Sequence, residues 1–269
     1  MTAGLRARDF LVLPLPGLGG RHLIARNVLV YRRTFLVIFS GFFEPLFSLL
    51  GIGFGLGALI GSVTDASGAA IPYQLFVAPA LMATSAMNGA IYDSTINVFF
   101  KLNFQRTYDG VLATPLTVVD VAVGEIAWAL IRGTLYAIGF IAVMVALGLV
   151  ASPLAVLAVP AAMLIGFAFA AVGMAATTYM RKIQDFDLLA LVQVPLFLFS
   201  ATFFPLSAYP EALQVVVQLT PLYHGIALIR ELTLGVVGPS LLVHVAYLVA
   251  MGALGLAVCS RRLGLLLRK

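Results

Sequence analysis

Long apolar stretches joined by short polar connections make up most of the chain, and the apolar residues run continuously rather than alternating with polar ones. A helix needs about 20 apolar residues to cross a hydrocarbon core of roughly 30 Å. Six stretches approach or exceed this length, and continuous runs disfavour a β-barrel. The pattern therefore predicts an all-α integral membrane protein with six transmembrane helices. The predicted spans cover residues 35–60, 73–100, 120–150, 153–179, 188–206 and 239–260.

A shorter helical pattern precedes the first span, over residues 21–34. Leu23, Ile24, Val28 and Tyr31 fall on one face of such a helix, and the arginines fall mostly on others. This pattern predicts an interfacial helix lying on the inner leaflet, with a disordered leader as the alternative. We accordingly divide the chain into a cytoplasmic tail with its interfacial helix (1–34) and a single membrane domain (35–269).

The connection between the fifth and sixth spans is too long and too apolar for a simple loop. Residues 211–219 and 222–234 each have a helical pattern, and Thr220 and Pro221 separate them. Each segment is too short to cross a bilayer. We predict a pair of re-entrant half-helices that dip into the outer leaflet, where neighbouring protein can cover their backbone.

The composition agrees with life in a membrane and excludes several functions. Hydrophobic residues make up 62% and charged residues 10% of the chain, against about a quarter charged in soluble proteins. A single cysteine and three widely separated histidines predict no metal site. No G-x-x-x-x-G-K-[ST] motif is present, so the chain is not expected to bind ATP by a P-loop. The sequence also shows no group of residues that could form a catalytic site, so we do not expect an enzyme.

The basic residues indicate the orientation. Fourteen of the sixteen Lys and Arg residues fall on one side if six spans alternate, and Arg132 and Arg230 are the exceptions. The positive-inside rule then places both termini in the cytoplasm. We expect the membrane to be the inner (plasma) membrane. The net charge of +5 is therefore a topology signal and does not predict a nucleic-acid partner.

Ionisable residues inside the predicted spans are costly and so are candidate sites. Glu44 stands before Pro45, which is expected to kink the first span. Its carboxyl group either lines a path or subunit interface or makes a buried structural hydrogen bond. Asp93 lies near polar residues of the second span, which favours a charge held locally. His244 is interpreted as a core histidine rather than a proton relay.

The third span carries Glu125, Trp128 and Arg132 on one helical face. The two opposite charges are about two turns apart, too far for a tight direct pair. A third group or the lipid headgroups would have to join them. A structural role in pinning the helix is favoured.

The connection over residues 101–116 combines charged residues, an aromatic residue and glycine with a Thr-Pro stop. This composition is typical of a short surface helix between two membrane helices. Such a helix either docks a partner or is simply solvated, and composition alone leaves both open.

With this loop the chain resembles the membrane-spanning permeases of type-2 ABC exporters, especially the nodulation-J-like group associated with lipo-oligosaccharide export. The matching segments occur in order along the chain, from the first span to the second half-helix. They are Glu44-Pro-Leu-Phe47 with Gly51-Ile-Gly-Phe-Gly-Leu-Gly57, Ala80-Leu-Met-Ala-Thr-Ser-Ala-Met-Asn88, Tyr108-Asp-Gly-Val-Leu-Ala-Thr-Pro-Leu116, Gly124-Glu-Ile-Ala-Trp128, Phe203-Phe-Pro-Leu-Ser207, Pro221-Leu-Tyr-His224 and Leu228-Ile-Arg-Glu231.

The resemblance implies a permease that works as a dimer, as a homodimer or with a paralogue, together with two cytoplasmic ATPase subunits that bind ATP and Mg²⁺. It implies that the loop between spans two and three is the coupling helix, and that substrate leaves between the first and fifth spans. The coupling residues so implied are Gln105, Arg106, Thr107, Tyr108, Asp109 and Gly110. The residues assigned to the path or dimer interface are Phe43, Glu44, Phe47 and Asp93.

The function expected from this resemblance is export of an amphiphile: a lipid-linked saccharide, a glycolipid or a hydrophobic drug. The chief alternative is a proton-coupled secondary transporter that uses Glu44, Asp93 and His244. Against that alternative, the charged groups are few and no inverted repeat with paired broken helices is apparent. An integral membrane transferase is a third class, for which no polar catalytic cluster is found.

Overall fold

The computed structural model describes residues 19–31, 43–64 and 68–267, and the statements below concern this part of the chain. The predicted tail over residues 1–18 and the start of the predicted first span lie outside it. The described helices are α1 (Gly20–Tyr31), α2 (Phe43–Ser48), α3 (Gly57–Ile60), α4 (Tyr73–Tyr92), α5 (Thr107–Leu112), α6 (Val118–Ala146), α7 (Ala158–Thr177), α8 (Phe186–Leu198), α9 (Glu211–Leu219), α10 (Pro221–Leu234) and α11 (Ser240–Leu267). Strands β1 (Ser62–Thr64) and β2 (Ala70–Pro72) pair antiparallel, with Val63 opposite Ile71.

Four helical stretches in the described part are long and apolar enough to cross a membrane, or five if the bent pair α9–α10 counts as one. π-helical and 3₁₀ segments extend α4 and α7. The four agree with the second, third, fourth and sixth predicted spans to within a few residues. They are Tyr73–Phe104, Val118–Ala146, Pro153–Thr177 and Ser240–Leu266.

The predicted first and fifth spans are not seen as full-length helices. The first is described from Phe43 onward, as α2, a π-helical segment (Leu49–Leu56) and α3. The fifth is α8, whose 13 residues are fewer than the roughly 20 that a span needs. The helix ends because Phe199 leaves helical dihedral angles and Ala201 adopts a positive φ of 55°. The layout of six complete spans is therefore not reproduced in the described residues.

Helices α9 and α10 meet at an angle of 86°, at the Thr220-Pro221 break that the sequence indicates. Thr220 is the N-cap of α10 and its hydroxyl accepts a hydrogen bond from the Tyr223 amide at 3.4 Å. Pro221 occupies the first turn of α10, where a missing N–H does no harm. Capping and proline together explain why the chain starts a new helix here.

Helix α7 lies at the centre and packs against α4, α6, α10 and α11. Small residues make the close approach possible. A Cβ atom on Gly255 of α11 would lie 2.7 Å from the main-chain nitrogen of Val172, so the two backbones are nearly in contact. Close packing through small residues replaces the hydrophobic effect as the source of helix association in lipid.

Helix α1 is fastened to the start of α6 by Asp120, whose carboxylate is fully buried. The carboxylate accepts hydrogen bonds from the Gly19 amide at 2.9 Å and from the amide and hydroxyl of Thr117 at 2.8 and 2.6 Å. Thr117 and Asp120 form a capping box at the N-terminus of α6. One carboxylate thus caps α6 and holds α1 in place.

The buried face of α1 differs in part from the predicted apolar face. Leu23 and Asn27 are buried against the body of the protein, whereas Val28 is exposed. The reason is the close contact of α1 with α6. A Cβ atom on Gly124 would lie 2.9 Å from Cβ of Leu23 and 3.0 Å from the carbonyl oxygen of Gly20.

This contact predicts that Gly124→Val destabilises the protein by about 1–3 kcal/mol, because the added side chain meets backbone that cannot yield. Thermal unfolding of the purified protein in detergent measures the effect. Gly133→Val is the matched control, because Gly133 lies on the same helix and has open space around its Cβ position. Equal melting temperatures for the two variants would contradict the proposed packing.

Candidate functional site

The loop between the second and third predicted spans forms a short helix, α5, as the sequence predicts. Arg106 precedes it with a positive φ of 46°, a conformation uncommon outside glycine that turns the chain sharply. Residues around this turn face away from the protein, while Thr107 is half-buried. The exposed residues are Gln105, Arg106, Asp109 and Gly110.

Tyr108 alone of the predicted coupling residues points inward, and its side chain is only 1% exposed. Burial raises the pKa of its phenol well above the ordinary value, and the nearby negative charge of Glu125 raises this pKa further. The phenol is therefore neutral at physiological pH. Tyr108 is better placed to anchor α5 to the membrane helices than to touch another protein.

Beneath α5, Lys101 and Glu125 form an ion pair with Nζ and Oε2 2.6 Å apart. Their side chains are only 15% and 5% exposed. Lys101 belongs to the π-helical end of the Tyr73–Phe104 stretch and Glu125 belongs to α6, so the pair joins the second and third predicted spans.

Two turns further along α6, Arg132 pairs with Asp93 at 3.1 Å between Nη1 and Oδ1. Asn97 donates a second hydrogen bond to the same Asp93 oxygen, at 2.9 Å. The sequence had left Glu125 and Arg132 in need of further groups, and the structure supplies a separate partner for each. The Asp93–Asn97 segment is a π-helix, a local distortion that is frequent at functional sites.

These two pairs cross-link the same two helices at two depths. Breaking one pair by removing a single partner would leave a buried charge without compensation, which costs about 3–5 kcal/mol. The second and third spans are therefore held in a fixed register relative to each other.

A cavity of about 20 Å³ lies beside Asp93, between α4 and α6. This volume is enough for about one water molecule and too small for a substrate. Ser85 and Tyr136 contribute polar groups to it. The full lining is Met82, Ser85, Ala86, Gly89, Asp93, Ala129, Gly133, Tyr136, Ala137 and Phe140.

The residues predicted for a path or dimer interface do not form one group. Phe43 and Phe47 lie on an exposed face of α2, where their rings stack with centroids 5.9 Å apart. Glu44 is in the same helix, but its side chain lies outside the described part. Asp93 is instead buried in its pair with Arg132.

Arg230 has a structural role that the sequence did not predict. Its guanidinium donates to the carbonyls of Phe76 and Ala201, at 3.3 and 3.0 Å, and lies 3.9 Å above the Phe76 ring. It therefore joins α10, α4 and the irregular segment after α8. The available signal was that Arg230 is the one basic residue of the largely apolar connection between the fifth and sixth predicted spans.

The second polar loop, near residues 181–187, is held by its own backbone. Asp185 accepts hydrogen bonds from the amides of Arg181 and Lys182, at 2.7 and 3.0 Å. These bonds lower the pKa of Asp185, with smaller help from the two positive charges. The loop is thus a pre-formed polar surface.

The fold and the site define a multi-pass helical membrane protein whose described polar groups join helices or lie on exposed connecting loops. Residues 21–234 match the ABC-2 type transporter family. The chain belongs to this family and is an ABC transporter permease, the membrane component.

Relatives called nodulation protein J are similar to the chain over most of its length. The protein from Rhizobium leguminosarum bv. viciae is 32% identical over 257 residues, which cover 93% of this chain and 97% of the relative. Those from Sinorhizobium fredii and Rhizobium leguminosarum bv. trifolii are 33% and 34% identical, each over 83% of this chain and 84% and 85% of the relative.

The ion pairs predict that Arg132→Met lowers the free energy of unfolding by about 3–5 kcal/mol, because Asp93 is left buried and charged. Unfolding in mixed detergent micelles measures it. The double variant Asp93→Asn/Arg132→Met is expected to recover more than half of the loss, since it removes the uncompensated charge. Arg106→Met, at an exposed arginine, serves as the control and should change little. If Arg132→Met is as stable as the native protein, the Asp93–Arg132 pair does not hold the two helices together.

Proposed function

We propose that the chain is the permease subunit of an ATP-driven exporter, which moves an amphiphilic substrate outward across the inner membrane. The observation that carries this proposal is the division of α5 into two sides. One side is exposed and polar, and the other is anchored by Tyr108 above a buried ion pair. A connecting loop built in this way can bind a partner protein and transmit a movement of that partner to the membrane helices.

The first step is docking of a cytoplasmic ATPase on the exposed side of α5. Gln105, Arg106, Asp109 and Gly110 offer a polar, mixed-charge surface to the ATPase, while half-buried Thr107 lies at its edge. Two ATPase subunits, each bound to one permease, would bind ATP and Mg²⁺, since this chain carries no P-loop. Helix α1 and the loop near Asp185 lie on the same predicted cytoplasmic side and can brace the contact.

The second step is transmission. Tyr108 reaches from α5 towards Glu125, and Glu125 is tied to Lys101. Seven residues further along α6, Arg132 is tied to Asp93. A movement of α5 therefore displaces the second and third spans together rather than sliding one past the other.

The third element is a second permease copy, either identical or a paralogue. Helix α8 has no buried residue in the single chain, and Leu191 is 70% exposed. Phe47 on α2 is 63% exposed. Membrane lipid can cover these exposed faces, and a second permease copy would cover them as well. In such a dimer, the substrate path would run between the α2 and α8 surfaces. Gln193, which donates to Asn88 at 2.6 Å, gives α8 a fixed register on α4.

The bent pair α9–α10 is proposed to enter the outer leaflet and return, so that both termini are cytoplasmic. Each helix is short, at 9 and 14 residues, and Arg230 fastens the second one to α4. The pair would then close the outer end of the path. The substrate classes that fit an apolar path are a lipid-linked saccharide, a glycolipid and a hydrophobic drug.

The proton-coupled alternative receives less support from the geometry. Asp93 would have to exchange protons, yet it is paired with Arg132 and hydrogen-bonded to Asn97. Proton uptake by Asp93 would break its pair with Arg132 and so release the contact between the second and third spans.

The docking surface predicts that Gln105→Ala/Arg106→Ala/Asp109→Ala weakens ATPase binding by about tenfold or more, since interface energy is concentrated in a few side chains. The permease is co-expressed with the P-loop ATPase that we expect a neighbouring gene to encode. Co-purification is measured, and so is substrate-stimulated ATP hydrolysis in proteoliposomes. Thermal stability should be unchanged because these side chains are exposed. Thr114→Ala, at another exposed position of the same loop, is the control.

Retention of full co-purification and stimulation in the triple variant would overturn the docking assignment. Transport by the permease alone, driven by a proton gradient without any ATPase, would overturn the proposed function as a whole.

A further inference from the structure

Two histidines that are 20 residues apart in the sequence meet between α10 and α11. Nδ1 of His224 lies 2.7 Å from Nδ1 of His244, and the two side chains are buried. The Tyr247 ring stacks on the His224 ring, with centroids 4.0 Å apart. The sequence places these histidines in separate segments and offered no reason to pair them.

Glu231 extends the pair into a line of three titratable groups. Its Oε1 atom lies 3.6 Å from Nε2 of His244, on the side of the ring opposite His224. The Ser240 hydroxyl donates to the same Oε1 at 2.8 Å and holds the carboxylate in position.

The line of groups stands where the bent helix pair rests on the last span. Tyr247 of α11 donates from its hydroxyl to the carbonyl of Leu219, the last residue of α9, at 2.9 Å. The main chain of Gln218, also in α9, is a further polar neighbour of the His224 ring. The cluster therefore fastens the 86° bend to α11.

Proton counting shows how the contact depends on pH. A hydrogen bond between two Nδ1 atoms holds one proton, so one ring donates and the other accepts. Two neutral rings can meet this need, with His224 donating from Nδ1 and His244 donating from Nε2 towards Glu231. One extra proton, on Nε2 of His224, leaves the bond between the two Nδ1 atoms in place.

A second extra proton is incompatible with the contact. Every ring nitrogen then carries a hydrogen, so that two N–H groups and two positive charges face each other across 2.7 Å. Their repulsion is strong because the surroundings are buried and poorly screened. The charged groups on α10 next to the pair are Glu231, which lies beside His244, and Arg230, which acts on the neighbouring Tyr223.

We propose that Glu231, His244 and His224 form a proton-sensitive latch, which holds the α9–α10 bend against α11 and opens when acid protonates both histidines. A histidine released by opening titrates near the ordinary pH of about 6.5, whereas the closed pair resists the second proton. The closed form is therefore favoured at pH 7.5 and loses stability relative to the open form as the pH falls below about 6.5. The latch itself does not depend on ATPase coupling. Its place at the outer exit rests on the proposed topology.

Hydrogen–deuterium exchange of the full chain in lipid nanodiscs, in the presence of a chelator, tests the latch. Each rate is divided by the intrinsic rate at the same pH. Protection of α9 is expected to fall by about 5- to 30-fold between pH 7.5 and pH 5.5, while α7 stays unchanged. His224→Asn/His244→Asn, whose amides can hydrogen-bond without titrating, should abolish this pH dependence.

His22→Asn is the matched control, because His22 is the remaining histidine of the chain and is exposed on α1. This variant should keep the native pH dependence. Protection of α9 that is the same at both pH values in the native chain would overturn the proposal, as would pH dependence that survives in the double variant.

Nitrogen-15 NMR of the labelled histidines of the native chain keeps the proposal testable if the double variant does not fold. Comparison with His22→Asn identifies the His22 signals. The latch requires the two remaining rings to titrate in separate steps, the second at lower pH. Two rings that titrate independently near pH 6.5 would overturn it. Protection of α9 that rises on adding Zn²⁺ at pH 7.5 would indicate a metal site and would also count against the latch.

Discussion

The pairing of buried charges between the second and third membrane helices is the constraint on which the rest of the structure depends. Lys101 with Glu125 and Asp93 with Arg132 place four charges in a region where an unpaired charge is costly. The pairs set the register of α4 against α6. α5, the loop that joins these helices, thereby gains a rigid base.

Polar groups elsewhere also join elements rather than line a large site. Asp120 holds α1 on α6, Arg230 holds α10 on α4 and on the segment after α8, and Gln193 holds α8 on α4. In a bilayer the hydrophobic effect does not drive helices together, so hydrogen bonds and close packing must specify their arrangement. In the described part of the chain, these polar side chains lie at helix contacts.

Much of the fold could be predicted from the sequence because its signals are local. Apolar length predicts four of the long helices, and the Thr220-Pro221 pair predicts the break between α9 and α10. The end of α8 at Phe199 could not be predicted, because residues 199–204 are as apolar as a span. Contacts from Arg230 and the positive φ of Ala201 turn the chain there.

The sequence by itself determined that this chain is a membrane protein and where most of its long helices lie along the chain. It also determined that a polar loop follows the second predicted span. It also supplied a resemblance that the ABC-2 family match confirms. Only the tertiary structure decided which charges pair, that Tyr108 faces inward while its neighbours face out, and that His224 meets His244. The physical reason is that periodicity places a side chain on a face of its own helix, whereas its partner comes from another helix and depends on packing.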